Sequence, residues 1–408
     1  MYRKDKYTHE GLDKGYIKNI NIDKNLYKVT YMLETDENGE ITANLPSGIY
    51  KAVEVKSNEA YQFTNDNTYY FGIDEEVEPV YGIKSVVKQY EGTKNASYAY
   101  VKGIAKTSDG GYVVCGDFMN DLKVNDEVIY YSEGDLDGFI IKYNEFDEVE
   151  WSKHILGNKE ENINKVIVTS DDGIIICGGS ESKKLNLSNE KVIQLDGADS
   201  SGIIIKYNNN GDLLWENTYK KTQIWSSGGA TMSGGVSYMD FRDICETSDG
   251  NYVAVGNYGD SLHGYKITFS DGTEISTNGE SDGFVIKYDS MGNILFAYTI
   301  GSSESDSVNN VIPTNDGGYI ISIASYKGYY IDIYNNGVTG STTSNTYLTV
   351  KYNSNGNWLK YDKKATNETI TDLFATNDGG YIVSGIKDES GYIKKYNSNN
   401  IEEWITII

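Results

Sequence analysis

The chain has 408 residues, enough for a large core, and 60 aspartates and glutamates against 36 lysines and arginines give it a net charge of -24 at pH 7. With arginine only at Arg3 and Arg242 and no basic stripe, that balance excludes nucleic acid and anionic membrane surfaces as expected partners. Three prolines, 43 glycines and 36 tyrosines exclude a helical or disordered chain in favour of a turn-rich β protein, and no apolar run approaches the roughly 18 residues of a membrane-crossing helix.

Residues 1–79 are the first predicted domain. The opening Met1-Tyr-Arg-Lys-Asp-Lys6 lacks the apolar run of a signal peptide. Thr35-Asp-Glu-Asn-Gly-Glu-Ile41, Leu45-Pro-Ser-Gly-Ile-Tyr50 and Ala52-Val-Glu-Val-Lys56 alternate strand-like runs with Asn-Gly and Pro-Ser-Gly turns, the pattern of a small β-sandwich. Together with Tyr61 and Tyr69-Tyr-Phe-Gly-Ile73, this stretch resembles the prealbumin-like B-type repeats of Gram-positive collagen adhesins and pilins. The resemblance implies a stalk, an extracellular or cell-surface location, and an isopeptide bond between a lysine and an Asn or Asp, assisted by a buried acid. Glu54 stands where that acid would be, Lys18 or Lys28 is the candidate lysine, and Asp74 is the one candidate partner; the alternative is that Glu54 is a solvated strand residue. Glu75 to Pro79 is the expected linker, since proline interrupts the strand pattern.

From residue 80 onward the chain is an array. One turn recurs five times: Thr107-Ser-Asp-Gly-Gly-Tyr112, Thr169-Ser-Asp-Asp-Gly-Ile174, Thr247-Ser-Asp-Gly-Asn-Tyr252, Thr314-Asn-Asp-Gly-Gly-Tyr319 and Thr376-Asn-Asp-Gly-Gly-Tyr381, at spacings of 62, 78, 67 and 62 residues. Each interval accommodates about four short strands, and stacking is how such thin sheets hide their apolar faces. Strands on either side of the turn, such as Ile163–Val168 and Gly173–Gly178, form a hairpin whose tip glycines adopt the positive φ that tight turns require. A third strand carries Lys-Tyr in every copy: Phe139-Ile-Ile-Lys-Tyr143, Ile203-Ile-Ile-Lys-Tyr207, Phe284-Val-Ile-Lys-Tyr288, Leu348-Thr-Val-Lys-Tyr352 and Tyr392-Ile-Lys-Lys-Tyr396. Its lysine stem is expected to lie along apolar surface with the amine in water. A fourth strand places an aromatic nine residues after the lysine, at Trp151, Trp215, Phe296 and Trp404, with the fourth copy irregular at Trp358 and Lys360; these rings are expected to pack between units.

The two motifs in register resemble the bacterial β-propeller repeat family over about residues 81–408. The resemblance implies a β-propeller for residues 80–408 and explains the hairpin-like inserts Leu122–Ile129 and Leu185–Val192 between second and third strands. Val86-Val-Lys-Gln-Tyr-Glu-Gly92 matches the fourth strand, as in Trp215-Glu-Asn-Thr-Tyr219, so there are six copies of that strand and five of the others. Five blades with the surplus strand added to a terminal blade are expected; a six-bladed or open arrangement is the alternative.

Chemistry is sparse. Cys115, Cys177 and Cys245 fall at core positions of the repeat and read as buried fillers rather than metal ligands or nucleophiles. His9, His154 and His263 are scattered, no phosphate-binding glycine loop is present, and no cofactor is expected. Glu133-Gly-Asp-Leu-Asp137 and Glu304-Ser-Asp306 lack the ligand spacing of calcium loops and read as solvated turns, so no metal is expected. The outlying join, Lys220 to Phe241, is rich in glycine and serine and holds Trp225 and Tyr238, followed by Asp240, Arg242 and Asp243. Those five are the candidate ligand-binding residues; the alternatives are Trp225 folded back as a lid and an ion pair among the polar three. The function expected is a non-catalytic surface or secreted binding protein, its propeller carried on an adhesin-like stalk and taking a glycan or protein ligand. A polysaccharide-active enzyme with carboxylates in the funnel, or a spacer without ligand, are the alternatives.

Overall fold

The computed structural model describes residues 16–22, 32–34, 48–56, 68–73, 90–91 and 98–408, except 125–126, 134, 189–190, 196–199, 223–236, 261–265, 270, 303, 326–327, 330–340, 343–344 and 365–366. The described residues are strands, turns and loops, with no helix among them. The chain divides into two compact units, Met1–Val87 and Lys88–Ile408. In the first, the described strands form one antiparallel sheet in the order Met32–Glu34, Tyr16–Ile22, Gly48–Lys56, Thr68–Ile73. Glu54 is in the third of these, opposite Ile17, and Lys18 is opposite Val53; Lys28 and Asp74 lie outside the described residues.

The second unit is a β-propeller. Its blades are antiparallel meanders of four strands paired in chain order, begun by Tyr98–Lys106, Glu161–Val168, Ser237–Glu246, Asp306–Pro313 and Asp372–Ala375 and closed by Val149–Leu156, Leu213–Thr218, Ile294–Ile300, Trp358–Lys363 and Glu402–Ile407. Second and third strands are apolar on consecutive positions because both faces are covered: Ile174–Ser180 and Ser201–Tyr207 are buried throughout. The core is therefore a series of seams rather than one centre. Cys115, Ile140 and Ile155 of blade 1 meet Ile163 and Val166 of blade 2; Ile175, Cys177 and Ile204 meet Phe241 and Ile244; Val253, Val255 and Val285 meet Val308 and Val311; Ile312 and Ile320 meet Ile370 and Leu373. Approach is close enough that a Cβ added at Gly283 of blade 3 would fall 2.3 Å from Val308 of blade 4. Burying each such side chain stabilises the stack by about 1.5–3 kcal/mol, which a lone blade could not obtain. All three cysteines are buried in these seams, as their positions imply, and burial pushes the Cys115 thiol up to about 12.

The lysine of the third strand does not stand free in water: it is buried in blades 1, 2, 3 and 5 and partly exposed in blade 4. In every blade its ammonium meets the aspartate of the repeat turn: Lys142 with Asp109, Lys206 with Asp171, Lys287 with Asp249, Lys351 with Asp316 and Lys395 with Asp378, at 2.6–2.7 Å. The other oxygen of each aspartate accepts from the threonine two residues before it, at 2.5 Å in Thr107, Thr247, Thr314 and Thr376 and equally in Thr169. The reason is register. The hairpin turn ends directly above the last residues of the third strand, so the carboxylate lies within reach of a side chain that would otherwise have to snake outward past the next blade. Lys206 and Lys287 also cross the seam, to the Tyr252 hydroxyl at 2.8 Å and the Ser354 carbonyl at 2.9 Å.

Lys287 is 1% exposed, whereas the Asp249 side chain is 36% exposed. Asp249→Ala therefore strands a buried ammonium on one carbonyl and is expected to cost about 2–4 kcal/mol, while Lys287→Met, which leaves a carboxylate free to hydrate, costs about half as much. Urea unfolding of the two variants reads the difference; equal losses would show that ammonium burial does not set the cost.

Candidate functional site

The first strands of the blades converge, and in blades 1 to 4 each changes register one step after its seam residue: between Val101 and Gly103, Ile163 and Lys165, Phe241 and Asp243, Val308 and Asn310. A bulge of this kind inserts a residue and re-aims two consecutive side chains. The residues so placed stand five and four before the repeat threonine: Lys102 and Gly103, Asn164 and Lys165, Arg242 and Asp243, Asn309 and Asn310; Thr371 and Asp372 hold the same offset in blade 5 without a register shift. They form a polar cluster linking one blade to the next. Lys102 pairs with Asp117 of its own blade at 2.6 Å and donates to Asn162 of blade 2 at 3.2 Å. Asn164 donates to Asp240 at 2.9 Å and to the Phe241 carbonyl at 2.8 Å, Arg242 sits 3.3 Å from Asp240, and Lys165 pairs with Asp243 at 3.0 Å. Asp243 accepts the backbone N–H of Val311 on blade 4 at 2.9 Å, and Asn310 donates to Asp372 of blade 5 at 3.1 Å.

Charge is layered within this cluster. The Asp117 and Asp243 carboxylates are buried, and the cations they hold are partly open, with side-chain exposures of 28% for Lys102, 37% for Lys165 and 45% for Arg242. Burial raises the pKa of Asp117, Asp240 and Asp243 against the pull of Lys102, Arg242 and Lys165 respectively. Burial likewise opposes the charge on Lys165, yet neighbouring Asp243 holds its pKa above the usual lysine value. Three carboxylates, two of them buried, thus hold three partly exposed cations one to one, and each cation keeps donors beyond those its ion pair uses, as recognition of an anionic group such as a carboxylate requires.

Of the residues singled out in the sequence, Asp240, Arg242 and Asp243 belong to this cluster, and the ion pair among them is present. Tyr238 precedes them on the same strand, half-buried. Trp225 lies outside the described residues, and Glu54 belongs to the other unit. Lys102, Asn164, Lys165, Asn310 and Asp372 escaped the sequence reading. Their signal is the recurrence of polar pairs at one offset from the repeat threonine, where period-two alternation of a strand would put an apolar residue.

A second set of charges lies inside the seams. Asp137 and Asp306, expected in solvated turns, are instead buried, because the neighbouring blade covers what the sequence shows only as an acidic loop. Glu133 and Glu304 of the same stretches are exposed, as expected. Asp137 accepts the Glu133 backbone N–H at 3.1 Å and lies 2.8 Å from His154 Nε2. Across the seam, Glu161 of blade 2 accepts from Ser180 at 2.9 Å. Their other oxygens, Asp137 Oδ1 and Glu161 Oε2, are buried without a hydrogen-bond partner among the described residues. Burial, reinforced by the Asp137 charge, pushes the Glu161 carboxyl up to about 8. Asp282 of blade 3 is raised to about 7, again by burial first, with Asp306 of blade 4 adding to it. No group of three His, Cys, Asp or Glu among the described residues converges on a metal position.

No family profile and no curated protein matches the chain. Among solved structures it is similar to a protein of unknown function from Bacteroides caccae, at 9% identity over 97% of this chain and 94% of that one, with a TM-score of 0.38. It is also similar to the Dos1 propeller, at 10% identity over 88% and 82% with a TM-score of 0.35, and to the exotype rhamnogalacturonan lyase YesX, at 12% identity over 98% and 78% with a TM-score of 0.30.

The two kinds of buried carboxyl bias stability in opposite directions. Glu161 and Asp282 bind protons more tightly folded than unfolded, so their contribution is full below about pH 4 and is lost as pH rises through about 7 to 8. Burial resists ionisation of Asp249, but Lys287 and Thr247 hold it down to about 2, so its contribution is present above about pH 4 and is lost on acidification. Urea midpoints are expected to peak near about pH 5 and to fall toward pH 9, and Glu161→Gln is expected to flatten the alkaline limb by on the order of 1–3 kcal/mol. An alkaline slope unchanged in that variant would remove Glu161 as its source.

Proposed function

We propose that this chain is a surface-borne or secreted binding protein whose propeller takes a carboxylate-bearing glycan at the axial cluster, with the first unit serving as its stalk. The observation that carries the reading is the gathering of Lys102, Lys165 and Arg242, all partly open, on a chain of net charge -24. A bound carboxylate would meet these cations through donors left over from their ion pairs with Asp117, Asp243 and Asp240, while the net charge of -24 repels anions from the rest of the molecule. The join at 223–236, with Trp225, runs in sequence into the strand that bears Tyr238 and Arg242. The resemblance of the first unit to adhesin repeats, and of the second to bacterial propeller repeats, supports a displayed module. Hydrolysis is less well supported, since Asp137 and Glu161 are fully buried within a seam.

Calorimetric titration with oligogalacturonides and with their neutral, carboxyl-reduced counterparts tests this. The acidic oligomers are expected to bind selectively, with affinity falling as salt rises, and Arg242→Ala or Lys102→Ala is expected to weaken them about tenfold. Equal binding of neutral and acidic oligomers, or binding indifferent to Arg242, would overturn the reading.

A further inference from the structure

Every blade from the second onward has its leading face covered by the blade before it. The residues three and six before the repeat threonine make that contact: Val166 and Ile163 are 2% and 0% exposed, Ile244 and Phe241 1% and 0%, Val311 and Val308 2% and 0%, Leu373 and Ile370 5% and 8%. Blade 1 has the same residue types at those positions, Ile104 and Val101, and they are 68% and 47% exposed. Its leading face is built for a seam and has none among the described residues.

Two regularities of the seams within the chain define what fits there. The first concerns the hairpin inserted between second and third strands, which pairs with the end of the preceding blade's outer strand. Leu187 and Asn186 of blade 2 face Ile155 and Leu156, the fourth and fifth residues after Trp151, and Thr268 of blade 3 faces Lys220, the fifth after Trp215. The blade 1 hairpin does the same with the short strand Tyr90–Glu91: Val124 faces Tyr90 and Lys123 faces Glu91. Tyr90–Glu91 therefore stands, residue for residue, where the outer strand of a blade ahead of blade 1 belongs.

The second regularity concerns the aromatic of the outer strand. A Cβ added at Gly211, Gly292 or Gly356 would come within 2.9, 2.7 and 2.9 Å of Trp151, Trp215 and Phe296 of the preceding blade, so the turn after each third strand must be glycine wherever an aromatic precedes it. Where the preceding strand has Lys360 in place of an aromatic, the turn carries Asn400, which accepts from Tyr381. Blade 1 has Asp147 at this position, with φ of 65°, accepting from Tyr112 at 3.2 Å. The blade that precedes it consequently lacks an aromatic. Blade 5 presents Trp404 at that position and does not meet the requirement.

We propose that the leading face of blade 1 is a docking surface for a three-stranded antiparallel meander of this same repeat, distinct from the five described, which the strand at Tyr90–Glu91 completes as its outer strand. The occupant is defined by chemistry: an apolar trailing face of the Cys115, Ile140 and Ile155 type to cover Val101 and Ile104, and its own lysine–aspartate pair at the turn. Blade 5, whether of the same chain or of a second copy, is the wrong occupant because its indole would meet the Asp147 side chain.

The test uses the full chain and, as probe, a fluorescent copy of it cut after residue 397 and carrying Ile104→Asp, so that its last three strands, the one meander of the repeat without an insert, stay supported by blade 4, lack Trp404 and cannot themselves accept a partner. Saturable one-to-one binding is expected by anisotropy, with slowed hydrogen exchange at the amides of 90–91 and 98–106. Ile104→Asp in the full chain, at an exposed position that leaves the fold intact by circular dichroism, is expected to weaken the probe at least about tenfold. Absence of binding, or binding unchanged in Ile104→Asp, would overturn the proposal. So would self-association of the chain in sedimentation velocity that Trp404→Ala abolishes, since that places blade 5 on this face.

Discussion

A buried ammonium must be met by an anion or it shifts the chain away from that conformation, and this propeller repeats that constraint five times. The lysine sits on the third strand and its aspartate on the turn joining the first two, so the pair cannot form unless three strands are in register. The threonine that donates to the same carboxylate fixes the turn, and the backbone N–H two residues past the aspartate closes it. One ion pair thereby specifies the hairpin, the third strand and the position of the blade's edge. Its worth lies less in net stability, since the aspartates are partly exposed, than in excluding other registers, each of which would leave the ammonium without a partner.

Stacking then follows from what the register exposes. With the lysine tied down at one end, the middle of each face is aliphatic and featureless, able to seal against a neighbour but not to choose its position along the seam. Polar groups at either end supply that choice. The axial bulges set one end through contacts such as Asn164 to Asp240 and Asp243 to the Val311 N–H, while the buried Asp137 and Glu161 carboxyls stand at the other in the first seam. An unpaired carboxylate in either place would cost more than its hydrogen bonds return, so sliding is opposed from both ends.

Much of this was legible in the sequence, though unevenly. The turn Asp and the strand Lys are each plain as a motif; what sequence spacing does not show is that they touch, because their separation differs between blades, 33 residues from Asp109 to Lys142 and 17 from Asp378 to Lys395. The lysine amine was accordingly placed in water. Asp240, Arg242 and Asp243 drew notice only because an outlying join precedes them, while Lys102 and Lys165 follow ordinary joins and share the same site. Asp137 and Glu133 are indistinguishable as letters in an acidic loop; burial of one and not the other is decided by the next blade. The surplus outer strand was visible by count, and its pairing partner, the blade 1 hairpin, became visible only through the backbone register.

Nearest-neighbour stacking also predicts where the molecule is firm. Blades 2, 3 and 4 are covered on both faces, and the first three seams are sealed by Trp151, Trp215 and Phe296 over glycine turns. The fourth seam has Lys360 where those aromatics stand, and the outer strand of blade 5, Glu402–Ile407, is exposed along its whole length. Opening is therefore cheapest at blade 5 and costs progressively more toward the middle of the array. The three open cations sit on blades 1, 2 and 3, with their buried carboxylates on blades 1 and 3, across the two seams closed by tryptophan. Lys165 and Arg242 thus stand on blades covered on both faces and Lys102 on one covered only behind, and blade 5 still reaches the cluster, since Asn310 donates to Asp372, whose charge also acts on Lys165.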